Sequence, residues 1–381
     1  MASWVIIGNP ENRRVQLFQA ALHSLGLPHA MLISYEQLLD GSARIDQLPR
    51  NAFVRIDSPG ENFKVERGLL QRGIEAVRAE GGPCLDAAVL EELSVERGRI
   101  LHPRQWYLGF CELLNELHEE LEGRPDLRLC QSAREIIELF DKTVCHERCQ
   151  KAGIPVPQAI DSISCFEELA ERMTSLGMSR VFVKLAHGSS ASGVVALLRT
   201  RSGWAATTSA ELCHHGGELR VYNSLKIRSY TAPLEVDALI NWLIPHRVHI
   251  EQWLPRATTN CVPFDTRVVV IDGKPSHIVV RTSKSPMTNL HLGNRRGHWD
   301  EVRQRLSPLK WAEFEETCRQ AAACYPNAMH LGLDILWSPG FRKHVLLEIN
   351  AFGDLLPNVL VDGYDTYQAQ ILSRLAKCDD C

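Results

Sequence analysis

The chain has 381 residues, 45% hydrophobic and 23% charged, with a formal net charge of −4. That length suits two or three domains with sizeable cores, and the composition is that of an ordinary globular protein. With no basic block along the chain, the charge pattern favours neither nucleic acid nor an anionic membrane surface as a partner.

The N-terminal run from Trp4 to Gly8 lacks the apolar core and cleavage site of a secretory signal, and no apolar stretch reaches membrane-spanning length, so a cytoplasmic location is expected. The 12 cysteines lack the even spacing of a secreted disulfide scaffold, which predicts reduced, packed thiols. Cys145 and Cys149 lie one helical turn apart beside His146, and the tail carries Cys378 and Cys381. Neither pair has a partner pair at zinc-ribbon spacing, so no structural zinc is expected.

In chain order, a strand at Trp4–Ile7, a Gly-Asn-Pro turn and an amphipathic helix from Asn12 to Leu25 come first. Strands near Ala30–Ile33 and Phe53–Ile56 follow, and strands alternating with helices predict an open parallel sheet. The loop Asp57–Asn62 then sits at the carboxyl end of a strand, where such sheets place ligands. It reads equally as a turn with a helix cap. Ser94 to Gly123 reads as a helix of mixed charge.

A new unit begins near Ser132, with Asp141-Lys142 on a helix ending at Gly153-Ile154-Pro155-Val156-Pro157. The strand Val181–Leu185, the loop His187-Gly188-Ser189-Ser190-Ala191-Ser192-Gly193 and the strand Val194–Leu198 follow. A Gly/Ser-rich loop between strands offers backbone N–H groups to polyphosphate oxygens, and Lys184 beside it offers a fixed charge. It also reads as an ordinary hairpin turn, and it lacks the Gly-Lys-Ser/Thr of a Walker A loop. A further hairpin is expected at Trp204–Thr208 and Leu219–Tyr230, with a helix around Leu234–Leu243. Cys213, His214 and His215 fall to a surface loop. His249–Pro255 is a short strand stopped by proline, and Asp265–Ile271, Asp272-Gly273 and Ser276–Arg281 form a hairpin with an Asp-Gly turn.

The last hairpin runs Leu331–Trp337, a turn through Ser338-Pro339-Gly340, then Val345–Asn350. Glu348 and Asn350, two apart, project from one face of a strand, and a turn centred near Phe341 sets Asp334 opposite Glu348. Three oxygen ligands on one patch suit Mg²⁺, which completes its octahedron with waters and phosphate oxygens. The alternative is that Asp334 and Glu348 mark strand positions facing solvent.

From Ser132 onward these motifs, in this order, resemble the ATP-grasp family of carboxylate–amine ligases, which includes D-alanine–D-alanine ligase, glutathione synthetase and the ribosomal-protein glutamate ligases. The likeness rests on Asp141-Lys142, Val-Phe-Val-Lys184 with its loop, Glu251-Gln252-Trp253-Leu254, Asp265-x-Arg267, Arg281, Asn289–Asn294, Gly332-Leu333-Asp334-Ile335 and Glu348-Ile349-Asn350-Ala351. It implies an α/β chain, α+β in its C-terminal part. An N-terminal open α/β domain (1–130) would precede a two-lobed ATP-grasp fold, with a small lobe and phosphate lid (131–248) and a C-terminal lobe with the Mg²⁺ site (249–381).

The resemblance further implies ATP and one or two Mg²⁺ as cofactors. Lys142 and Lys184 would hold phosphates with Gly188, Ser189, Ser190 and Gly193 as a lid. Glu251, Gln252, Trp253 and Leu254 would read the adenine, and Asp334, Glu348 and Asn350 would carry metal. Arg281 would steady the transferred phosphoryl group, with Asn289 on the substrate side. Small-molecule or peptide carboxylates and amines would be the substrates, and related ligases are often oligomers. One departure stands out: Pro255-Arg256-Ala257-Thr258-Thr259-Asn260 offers no acid for the ribose, with Asp265 as a substitute. Arg295 and Arg296 are either anion contacts or solvated charges. The expected reaction is ADP-forming C–N ligation through an acylphosphate, with a kinase on the same fold or a non-catalytic nucleotide-binding scaffold as alternatives.

Overall fold

Four short strands, Trp4–Ile7 (β1), Met31–Ile33 (β2), Phe53–Ile56 (β3) and Arg128–Leu129 (β4), pair in parallel in the order β2-β1-β3-β4. They belong to a computed structural model that describes residues 3–189, 191–353 and 356–379. β1 and β3 are apolar along their length, apart from Arg55, because helices cover both faces of the sheet. Trp4, Ile6 and Phe53 pack with Phe18 of the helix Arg13–Ser24 and with Tyr367 and Ile371 of the last helix, Thr366–Asp379. Val5, Ile7, Val54 and Ile56 pack with the helices Phe63–Arg72 and Pro103–Glu122. The end of the chain thus returns to its beginning, and the expected limits of 1–130 for the first domain omit a helix that closes its core.

The helix expected from Ser94 starts only at Pro103. His102 has φ of 36°, and Pro103 opens the first turn. The residues before it are extended instead: Ile100 N–H bonds the Val221 carbonyl at 2.9 Å and Asn223 N–H the Gly98 carbonyl at 2.7 Å.

The second sheet is antiparallel, in the order β5-β10-β6-β7-β8-β9, from Ala159–Ile160 (β5), Arg180–Leu185 (β6), Val195–Thr200 (β7), Gly203–His215 (β8), Glu218–Tyr230 (β9) and Val248–Gln252 (β10). Val181, Val183, Leu185 and Ile250 face the helices Phe166–Ser175 and Pro233–Leu243. Because β10 lies between β5 and β6, the expected division at 248/249 would cut this sheet. β8 and β9 form a long hairpin turned at Gly216-Gly217, so Cys213, His214 and His215 end a strand rather than fill a loop.

The third sheet runs β14-β13-β12-β15-β16, with Thr258–Thr259 (β11) added to Val262–Ile271 (β12). Lys274–Thr282 is β13, Arg295–Gly297 is β14, His330–Trp337 is β15 and His344–Asn350 is β16. Phe264, Val268, Leu333, Ile335 and Trp337 pack on Phe314 and Cys318 of the helix Pro308–Ala323. The opposite face carries Asp265, Arg267, Arg281 and Asp334, and this polar face forms the wall of a cleft.

Helices Phe63–Arg72 and Pro103–Glu122 meet without side chains between them. A Cβ on Gly109 would stand 1.9 Å from the Leu69 carbonyl oxygen, and one on Gly73 would stand 1.9 Å from that of Gln105. Gly109→Ala must therefore force backbone apart. The expected loss in chemical denaturation is about 3 kcal/mol, and a loss under about 1 kcal/mol would show that this contact yields freely.

Candidate active site

The hairpin β15–β16 carries the acids. Asp334 pairs with Glu348 and Gly332 with Asn350, and the register then slips so that Ile335 pairs with Leu346. The extra residue, Leu347, is a bulge, and it re-aims the strand. Strict alternation would put Leu346 beside Glu348; instead Leu346 joins the core with Ile335 while Glu348 and Asn350 share the cleft side with Asp334. The solvent-facing alternative fails for Asp334, which is buried.

Each acid is matched by a cation. Asp334 is paired with the Arg267 guanidinium at Nε and, through Nη2, at 3.0 Å, and with Arg281 Nη2 at 3.0 Å. Arg281 also binds both oxygens of Asp265, at 2.8 and 2.9 Å. Burial alone would raise the Asp334 carboxyl, but the two guanidinium groups outweigh it and hold it below the usual carboxylate range. The Glu348 carboxylate lies 3.3 Å from the Lys142 ammonium. Asn350 donates its amide N–H to the Gly332 carbonyl at 3.1 Å. Two carboxylates and an amide oxygen on adjacent strands are hard oxygen donors of the kind that could hold a divalent cation such as Mg²⁺.

The facing wall is the second sheet. Phe182 and Lys184 of β6 share a face with His249 and Glu251 of β10, since His249 is opposite Lys184 and Glu251 opposite Phe182. Lys184 Nζ lies 2.6 Å from Glu251 Oε1, and His249 Nε2 lies 3.3 Å from Oε2. Burial works against the Lys184 charge, but Glu251, Glu348 and Asp334 together raise its pKa. The fields of both walls therefore meet at this ammonium group. The Glu251 carboxylate, expected to read a base, is engaged within the protein. In the hinge, Gln252 N–H bonds the Gln158 carbonyl at 2.8 Å and Trp253 N–H the Arg180 carbonyl at 3.3 Å. The Leu254 N–H has no partner among the described residues. The Trp253 ring lies under Arg180 and against Phe182.

Lys142 joins the two walls. Asp141 caps the helix Lys142–Lys151 by accepting from the N–H groups of Thr143 and Val144, at 3.0 and 3.2 Å. Lys142 Nζ donates to the Gly188 carbonyl at 2.5 Å, so the ammonium group lies between the glycine loop and Glu348. The loop is tight. Ala191 and Gly193 have φ of 58° and 65°, Ser192 N–H bonds the Ser189 carbonyl at 2.8 Å, and a Cβ on Gly193 would stand 2.8 Å from Leu185. Ser189 is exposed, and the expectation for Ser190 falls outside the described residues.

Other residues singled out in the sequence make contacts within the protein. The Asp265 carboxylate accepts from Arg281 and from the Thr288 hydroxyl. Arg256 donates through Nη2 to the carbonyls of Ser285, at 3.1 Å, and Pro286, bracing the segment that leads to Asn289. Asn289 precedes a short 3₁₀ turn at Leu290–Leu292, with no capping hydrogen bond from its side chain among the described residues. Arg296 holds the Pro357 carbonyl at 2.6 Å. Asn62 caps the helix Phe63–Arg72, and Asp57 is buried against Arg55 at 3.1 Å, so the loop 57–62 serves as a cap. Cys145 and Cys149 are buried free thiols, and the side chains of Cys378 and Cys381 fall outside the described residues. Sequence reasoning gave no role to Arg267 or His249. The period-2 alternation with Asp265 and Glu251 was the signal available for both.

Burial alone would raise the Glu251 carboxyl, but Lys184 and His249 hold it down at about 2, against an ordinary 4.5. A carboxyl lowered on folding contributes stability above its unfolded pKa and loses it as pH falls through the folded one. The stability gap between the wild type and Glu251→Gln should shrink as pH falls below about 4.5. Urea titrations checked at each pH measure it, and a gap constant down to pH 3 would contradict the pairing.

No family model matches the chain, and no curated protein matches it. Solved structures do. The chain is similar to the ATP-grasp ligase PsnB complexed with a minimal precursor, at 16% identity and a TM-score of 0.53, covering 98% of this chain and 99% of that one. It is similar to the D-cycloserine synthetase DcsG at 12% identity and a TM-score of 0.55, covering 98% and 100%. The macrocyclase MdnC bound with precursor peptide MdnA, from Microcystis aeruginosa MRC, matches at 10% identity and a TM-score of 0.55, covering 99% and 100%. At such identities the likeness bears on architecture. Together with the three sheets, it shows that the chain shares the fold of these ATP-grasp ligases.

Proposed function

We propose that the protein is an ADP-forming ligase that joins a carboxylate to an amine through an acylphosphate. The observation that carries this reading is the convergence of Lys142, Lys184 and Arg281 on Asp334 and Glu348 across one cleft. Phosphoryl transfer needs positioning and charge neutralisation more than a protein nucleophile. Such a cleft supplies both.

In this reading the Leu254 N–H meets the adenine edge and Lys142 and Lys184 meet the phosphate oxygens. A substrate carboxylate oxygen attacks the γ-phosphorus in line, the bond to the β-bridging oxygen breaks, and ADP leaves. Arg281 stabilises the charge that develops on the transferred group. Asp334, Glu348 and Asn350 would hold a divalent cation, which when bound would add neutralisation of phosphate charge. An amine then attacks the acyl carbon and phosphate departs. The loop Gly188–Gly193 keeps water from the acylphosphate, and Asn289 lies on the acceptor side. Peptides are the favoured substrate class, because PsnB complexed with precursor peptide PsnA2 and MdnC bound with precursor peptide MdnA share this fold.

Glu348→Gln removes a metal-binding charge from a half-buried position and should cut ADP formation at least about a hundredfold, with an unchanged circular dichroism spectrum. Lys184→Ala should abolish turnover and lower stability as well, since it takes the lysine partner from the buried Glu251. Wild-type turnover in both variants would remove the cleft from the reaction.

Chelation by EDTA should abolish phosphate release, and added Mg²⁺ should restore it. With peptides bearing Asp or Glu side chains, phosphate release should require both carboxylate and amine. ADP formation with a stable phosphorylated acceptor and no amide would identify a kinase instead.

A further inference from the structure

The segment leading into the glycine loop is rooted by a side chain that the proposed reaction does not use. His187 is buried, its ring stacked on Tyr107 with centroids 3.7 Å apart and planes within 2°. Its Nε2 lies 2.9 Å from Nη1 of Arg104, and Arg104 is held from behind by Glu80 at 2.7 and 2.5 Å. Arg104 and Tyr107, three residues apart, share one face of the helix Pro103–Glu122, which packs on the first sheet. Burial, with the charges of Arg104, Lys142 and Arg247, keeps the His187 ring neutral well below the ordinary imidazole range. A neutral ring accepts the Arg104 proton at Nε2, so the contact is a directed bond rather than a packing accident.

The neighbours of His187 in the chain are the two residues that Lys142 holds. The Ala186 carbonyl takes the Lys142 backbone N–H at 3.1 Å, and the Gly188 carbonyl takes its ammonium group. Asp141, which caps the Lys142 helix, has Oδ2 3.9 Å from His187 Nε2. A shift of His187 therefore moves both of these carbonyl partners of Lys142 together.

We propose that Arg104 and Tyr107 are positioning residues for the nucleotide phosphates: by clamping His187 they fix where Lys142 and Gly188 meet the phosphate chain. The first domain thereby sets phosphate affinity without touching the nucleotide. This rests on reading the cleft as a nucleotide site.

A clamp on the phosphate side has a signature that general loosening lacks, because adenosine carries no phosphate for it to position. Binding of Mg·ADP and of adenosine is measured by competition against a fluorescent ADP analogue, with thermal melting run beside it. His187→Ala and Tyr107→Leu should weaken Mg·ADP about tenfold and leave adenosine within about twofold. Tyr107→Phe keeps the stacked ring and should bind both as the wild type does. Folded His187→Ala and Tyr107→Leu proteins that bind Mg·ADP normally, or that lose adenosine to the same degree, would overturn the clamp while the nucleotide reading stood. A wild type that binds neither ligand would remove the nucleotide reading itself.

Discussion

Charges removed from water must be paired, and the cleft is built around that constraint. Asp265, Asp334, Glu251 and Glu348 face Arg281, Arg267, Lys184 and Lys142, four acids against four cations. Removing one partner from such a buried set leaves a charge whose desolvation nothing offsets. The set is therefore held as a unit, from strands that pair it in register and from one capped helix. Its near-neutral balance also bears on binding. A bare divalent cation must compete with guanidinium and ammonium groups already on the acids, and a bare nucleotide must compete with the acids for the lysines. A cation and a nucleotide arriving together offer each set of charges a new partner.

Local backbone chemistry delivers these groups to one place. The bulge at Leu347 separates Leu346, which belongs to the core, from Glu348, which belongs to the cleft. The Asp141 cap starts the helix at Lys142 and so points that ammonium group at Gly188 and Glu348. The first domain enters through the face of the helix Pro103–Glu122 that holds His187. All three sheets thus bear on the position of one lysine.

Much of this was legible from periodicity. The parallel first sheet, the Asp-Gly hairpin and the pairing of Asp334 with Glu348 follow from alternation and turn residues, and the structure has each of them. Asp365 caps the start of the last helix, its Oδ1 accepting from the N–H groups of Tyr367 and Gln368 at 2.8 Å. What was not legible depends on distance in the chain. Nothing local says that β10 inserts between β5 and β6, that Glu251 turns to Lys184, or that residues 98–100 lie along β9. The role of Arg104 and Tyr107 was hidden for the same reason. Charge and aromaticity at helical spacing read as an ordinary packed face until His187 is set against them.

The central claim is that Asp334 and Glu348 hold a divalent cation against a nucleotide. Titrating Mn²⁺ by electron paramagnetic resonance, with and without ADP, tests it most directly. The account predicts tight Mn²⁺ binding to the wild type only when ADP is present, and its loss in the Asp334→Asn, Glu348→Gln double variant. Equal Mn²⁺ binding by the double variant in the presence of ADP would contradict it.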